Sequence, residues 1–325
     1  MRQLTISRPA DADAAIAAVL APESAFIAGG SDLMQLMKDQ VENPAHLVDL
    51  DALPLATVTV GADGITAGAL VRMADFAAHP AVVRDYPMVS QALLASASPQ
   101  VRNMGTMGGN LLQRTRCLYF RDPGFACNKR APGSGCPAIH GENRSGAVLG
   151  TSPDCIASNP SDLAVALVAL GAAVQVRGAN GATRRIAVAD LHRLPGNTPD
   201  ADTVLVPGDL IETVFIPASE AARRSAYVKI RDRASFEFAL VSAAVGLDID
   251  GGTIRDARVA MGGVGTKPWA MPQVEAALRG KPTTDATFHA AAALATDGAQ
   301  PASQNAFKLK LMPRALVRAL QSAAA

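Results

Sequence analysis

With 325 residues, about half of them hydrophobic (49%), the chain has material for two or three buried cores, which excludes a disordered tail and a minimal disulfide-stapled module. A formal net charge of +1 gives no basic excess for nucleic acid. No apolar run approaches the roughly 20 residues that cross a bilayer, so a small molecule or a protein is the expected partner.

In chain order, the start MRQLTISRP is a polar opening and a short strand, without the apolar core or cleavage site of a secretory signal. Ala25 to Ala28 is a short apolar run, Gly29-Gly30 interrupts it, and Ser31 to Gln40 has helical spacing through Leu33, Leu36 and Met37. With a second strand at His46 to Leu50, the alternation predicts a small α/β unit over residues 1–55. From 56 to 217 short strands surround glycine turns, with helices at Arg72 to Ala78, Tyr86 to Ser96 and Leu163 to Gly171. Val174 to Val188 is a hairpin about Ala179-Asn180-Gly181, and Val204 to Pro217 a second strand pair about Pro207-Gly208. Residues 218–325 give an α+β domain: a strand at Ala226 to Ile230, a hairpin of Phe238 to Asp250 with Thr253 to Gly262, then helices at Met271 to Arg279, Thr287 to Thr296 and Ser303 to Ala324.

Two glycine clusters point to a ligand. Ala28-Gly29-Gly30-Ser31-Asp32 leaves a strand and enters a helix with Ser31 at the expected N-cap; glycine lets the backbone approach a diphosphate, and the helix start offers free N–H groups. Asp32 works against this, because a carboxylate in the first turn repels a phosphate placed beside it. The second cluster is Arg102-Asn103-Met104-Gly105-Thr106-Met107-Gly108-Gly109-Asn110, and two such loops are able to clasp one extended ligand. Plain tight turns are the competing reading for both, and neither is a GxGxxG fingerprint.

All four cysteines, Cys117, Cys127, Cys136 and Cys155, fall in one stretch, with nine, eight and eighteen residues between successive members. No CxxC pair occurs, which disfavours a zinc ribbon or a ferredoxin-type run. An iron-sulfur cluster held from separate loops, a zinc site, and disulfides or free thiols all stay open. Arg114, Arg116, Arg121, Lys129, Arg130 and Arg144 outnumber the acids around the cysteines, a setting that stabilises thiolates or is simply a solvated loop. His140 is better placed as a surface residue than as a ligand. Lys229, Arg231 and Arg233 alternate toward one face, beside an anionic cofactor or on a solvated edge. No Ser-His-Asp, HExxH or paired-carboxylate set marks a hydrolytic centre, so no catalytic residue is expected and the chain is built to hold cofactors.

Taken together, these motifs resemble the FAD subunit of the xanthine dehydrogenase and molybdenum hydroxylase family along nearly the whole chain. Ala28-Gly29-Gly30-Ser31-Asp32-Leu33 looks like its AGGTDL loop, Gln100-Val101-Arg102-Asn103 its QIRN, and Thr106-Met107-Gly108-Gly109-Asn110-Leu111 its TIGGNL. Ala157 to Asp162 matches the Ser-Asp segment that follows, delayed here by a cysteine-bearing insertion at about 113–156. That insertion is similar to the one in the FAD subunits of bacterial periplasmic aldehyde oxidoreductases, where four cysteines bind a 4Fe-4S cluster; the 4-hydroxybenzoyl-CoA reductase branch is the second choice.

The resemblance implies an α+β fold: an FAD-binding domain of the vanillyl-alcohol-oxidase type, with a small α/β subdomain (1–55) and a larger mixed-sheet subdomain (56–217), then a C-terminal domain with a three-stranded antiparallel sheet (218–325). It also implies FAD contacts from Ile27, Ala28, Gly29, Gly30, Ser31, Asp32, Leu33, Thr106, Gly109, Asn110, Asp162 and Lys229, with Cys117, Cys127, Cys136 and Cys155 on the cluster. The partners implied are a molybdenum-cofactor subunit and a 2Fe-2S subunit, with an external electron acceptor, so the chain acts only within a complex. The competing classes are a zinc-stabilised assembly protein and an independent flavin reductase, the latter without a second nucleotide motif to support it. Lacking a signal of its own, the chain is expected in the cytoplasm unless a partner bearing a twin-arginine signal carries it, folded, to the periplasm.

Overall fold

The computed structural model describes residues 3–325. The first layer is a parallel sheet of β1 (Thr5–Ser7), β2 (Ser24–Ile27) and β3 (His46–Asp49), in the order β1-β3-β2. Parallel neighbours need crossovers, which helices Ala12–Val19 and Leu33–Lys38 supply. Sequence spacing misses the first helix, because an Ala-rich stretch has little periodicity to show. It is capped by Asp11, which accepts from the Ala14 N–H at 2.8 Å, and it buries Ala15 and Ile16 against Val48 and Leu50.

Five strands follow: β4 (Val58–Val60), β5 (Gly64–Gly68), β6 (Ala173–Arg177), β7 (Thr183–Ala187) and β8 (Leu210–Pro217), in the order β4-β5-β8-β6-β7. The sheet expected to be mixed pairs antiparallel throughout. The β6–β7 hairpin turns where predicted, with Gly181 at φ +76°. The strand pair predicted within Val204 to Pro217 is a correction: only β8 forms. Its two edges are taken by β5 and β6, and Asp209 accepts from the Val206 N–H at 2.8 Å to shape a turn instead. Helices Pro87–Ala95 and Asp162–Ala169 pack into the core beside this sheet, the second buried along its whole length.

The last layer is an antiparallel sheet of β9 (Ser225–Ile230), β10 (Val241–Asp250), β11 (Thr253–Gly262) and β12 (Trp269–Ala270). It has the three long strands expected and a fourth of two residues. Helix Phe307–Ala324 covers it. At the start of that helix Lys308, fully buried, donates to the carbonyls of Ser145, Gly146 and Gly263 at 3.2, 2.8 and 2.6 Å. This fastens the end of the cysteine-bearing segment to the C-terminal sheet. No helix among the described residues is long and apolar enough to cross a membrane.

Candidate functional site

A cleft of about 630 Å³ runs along the C-terminal end of β2. That volume is in the usual range of small-molecule sites, roughly 300–1,000 Å³. Residues 27–33 line it without a break, as do Thr106, Gly109, Asn110 and Asp162. The two glycine loops meet here. A Cβ added to Gly29 would stand 1.8 Å from the Met104 carbonyl oxygen and 3.1 Å from the Gly105 nitrogen, so the backbones touch only because no side chain intervenes. Gly30 sits at φ +65°.

Local capping differs from expectation. The N-cap of helix Leu33–Lys38 is Asp32 rather than Ser31, and its side chain makes no cap hydrogen bond. Thr106 does cap helix Met107–Leu111, accepting from the Gly109 N–H at 3.2 Å. Asn110 accepts from Ser161 Oγ at 2.6 Å, and Ser161 caps helix Asp162–Ala169 by accepting from the Ala164 N–H at 3.0 Å. Thus the TMGGN and NPSD motifs, separated by the whole insertion, form one wall. Exposed loop amides with no intervening side chain are the donor set a diphosphate needs.

Lys229 does not line the cleft; it stands behind Asp162. Its Nζ lies 2.7 Å from Asp162 Oδ2, and the two side chains are 3% and 5% exposed. Tyr227 donates its hydroxyl to Asp162 Oδ1 at 2.7 Å, and Ser96 donates to Oδ2 at 3.0 Å. Burial and the adjacent carboxylate push the Tyr227 phenol well above its ordinary pKa, which keeps it a donor. Lys229 and Arg231 also donate to one carbonyl, that of Ala95, at 3.1 and 3.0 Å, so they share a face as the alternation predicted. Arg233, beyond the strand, lines the cleft.

The four cysteines line one small cavity together with Phe120 and Ala157. All are free thiols, Cys127 and Cys155 buried. The Ala157 N–H is 3.5 Å from Cys155 Sγ, and backbone groups of Phe120 and Tyr119 at Cys117, and of Ile156, Ala138 and Ile139 at Cys136, favour the thiolate against burial. No group of three or more His, Cys, Asp or Glu among the described residues is arranged to hold a metal ion. His140 is exposed, as expected of a surface residue.

Most of the cations around the cysteines are paired with carboxylates. Arg114 pairs with Glu42 and Asp202, Arg116 and Arg121 with Asp32, Lys129 with Asp202, and Arg144 with Asp232; Arg130 donates to backbone carbonyls. With the charges spent elsewhere, burial dominates the thiols. It raises Cys117 and Cys136, and pushes Cys155 up to about 11 although Lys129 pulls it back. Arg114 and Arg116 line the cleft itself and were not singled out for it, because their partners lie some 70 to 90 residues away in sequence.

Comparison with known proteins agrees with this geometry. The family model described as the FAD binding domain in molybdopterin dehydrogenase matches residues 2–219, and that of the CO dehydrogenase flavoprotein C-terminal domain matches 225–323. The chain is 46% identical over 316 residues to the aldehyde oxidoreductase FAD-binding subunit PaoB of Escherichia coli, covering 97% of this chain and 96% of that protein. It is 27% identical over 307 residues to the carbon monoxide dehydrogenase medium chain of Afipia carboxidovorans, covering 92% and 88%. Its fold matches that of a chain in the crystal structure of quinoline 2-oxidoreductase from Pseudomonas putida 86, with a TM-score of 0.77, 24% identity, and coverage of 99% and 97%. The chain belongs to the FAD-binding subunits of the molybdenum hydroxylase family.

Proposed function

We propose that this chain is the FAD- and 4Fe-4S-binding electron-transfer subunit of a molybdenum-containing aldehyde oxidoreductase. In this reading it takes electrons from a molybdenum-cofactor subunit through a 2Fe-2S subunit and passes them to an external acceptor in a heterotrimer. The FAD diphosphate lies on the Ala28–Asp32 loop, with Thr106, Gly109, Asn110 and Asp162 along the opposite wall and Lys229 behind Asp162. The chain divides accordingly into 1–55, 56–217 with the insertion at 113–156, and 218–325. Bound FAD supplies exchange between one-electron and two-electron transfer. The chain's own part is to hold and orient the cofactor and set the charge around it, and no acid-base residue is demanded. Aldehyde chemistry is favoured by the relative at 46% identity, whose name gives that activity.

The observation that carries the reading is the closure of two glycine loops on one cleft beside a cavity lined by all four cysteines. Four thiols on separate loops around a common cavity suit a cubane, whose iron corners are reached from separate positions.

The test is a visible spectrum of the purified protein with iron and zinc analysis, before and after dithionite. Flavin bands, a broad bleachable absorbance and about four irons per chain are expected. A Cys127→Ser variant should lose nearly all of that iron. Full iron retention in this variant overturns the cluster assignment, and a colourless zinc protein overturns the proposal.

A further inference from the structure

The Asp32 carboxylate sits within the loop assigned to the FAD diphosphate, where its charge is unfavourable. It does not cap its own helix. Its oxygens are turned instead onto the cysteine-bearing insertion. Oδ1 is 2.7 Å from Arg116 Nη1 and 2.7 Å from Arg121 Nη2, and Oδ2 accepts from the Arg114 backbone N–H at 2.8 Å. Exposure of these side chains is low, 16% for Asp32 and 24% and 13% for the two arginines, so solvent screens the pairs weakly. Two positive charges thus stand against one negative charge beside the cleft. Arg116 also lines the cleft, its guanidinium 4.9 Å from the ring of Phe238, another lining residue.

The cysteines and these arginines are parts of one short device. Helix Leu118–Arg121 starts at Cys117 and returns Arg121 to the side of Arg116. Its Phe120 is buried in a small cluster with Leu36, from the helix that Asp32 begins, and Cys127. One turn of helix therefore touches both the cysteine cavity and the flavin loop.

We propose that Arg116 and Arg121 are positioning residues of the flavin site, which hold the Asp32 carboxylate turned from the cofactor and cancel its charge, so that FAD affinity depends on the insertion. They act through Asp32 rather than on the flavin. This rests on the diphosphate lying along Ala28–Asp32.

The experiment titrates the deflavinated full chain with FAD, following flavin fluorescence, while iron content and melting temperature report on folding. R116Q/R121Q should weaken FAD binding about tenfold or more, since an uncompensated charge at this depth is worth at least that factor. Adding D32N, which keeps an acceptor for the Arg114 amide, should restore affinity to within about threefold of the parent. D32N alone removes the charge at issue and should tighten FAD binding, so it tests the idea if the double variant does not fold; weaker binding by D32N overturns the inference. Weakening that D32N does not relieve overturns the inference, because the arginines would then be acting on the cofactor or on the fold. A Gly30→Val variant separates the underlying assignment: if G30V abolishes binding and R116Q/R121Q leaves it unchanged, the inference fails with the site intact. If G30V binds FAD normally, the placement of the diphosphate fails, and the inference with it.

Discussion

A Gly29→Ala variant is expected to purify with little or no flavin and to lose at least about tenfold in FAD affinity. The added methyl carbon would sit 1.8 Å from the Met104 carbonyl oxygen and 2.6 Å from its carbon. Both are main-chain atoms, so no side-chain rotation relieves the clash. Either helix Pro99–Met104 retreats or the Ala28–Asp32 loop does, and each movement opens the clasp between the two glycine clusters. Overpacking of this kind costs roughly 1–3 kcal/mol even where neighbours are able to adjust. The flavin-to-protein absorbance ratio and an FAD titration check the effect. Stoichiometric flavin in this variant sinks the idea that the touching loops hold the cofactor.

Much of this site was legible in the sequence because it is local. A glycine pair between a strand and a helix fixes a place for backbone amides whatever surrounds it, and residues 27–33, Thr106, Gly109, Asn110 and Asp162 all line the cleft. The β6–β7 and β10–β11 hairpins carry their own turn residues and form where expected. What failed was non-local. The Val204 arm forms no strand, only a bridge of Thr203 with His192 and a bond from the Val204 N–H to the Leu191 carbonyl at 3.0 Å, while β8 pairs with strands far away in sequence. The last turn of helix Pro99–Met104 falls inside the glycine cluster that begins at Arg102, and no helix is expected there, although Ser98 caps it and Pro99 opens it, a start signal the sequence contains. Sequence proximity leaves the arginines of the insertion open between supporting thiolates and lying on a solvated loop, whereas their carboxylate partners are scattered through the chain, at Asp32, Glu42 and Asp202. Charge composition announces that cations are present and says nothing of which anion each one meets.

The same non-local logic gives the largest stability effect. Replacing Lys229 by Met should lower the melting temperature by roughly 6 °C or more, because it strands the Asp162 carboxylate in the interior. Breaking one side of a buried ion pair costs about 3–5 kcal/mol, and roughly 2 °C per kcal/mol, the low end of the range for domains of about 150–250 residues, is the scale for this longer chain. Tyr227 and Ser96 still donate to Asp162, which places the expected cost toward the lower end. Flavin should report the change too. Asp162 lines the cleft, and in the parent its charge is neutralised by an ammonium 2.7 Å away. Without that ammonium an uncompensated negative charge faces the cofactor, and the flavin reduction potential should move to more negative values, since electrons are then added against it. Asp162→Asn in the same chain removes the stranded charge, so the double variant should recover part of both losses, a coupling that two unrelated packing defects would not produce. A Lys229→Met protein with parental melting temperature and potential would mean that this pair neither supports the cleft nor sets its charge.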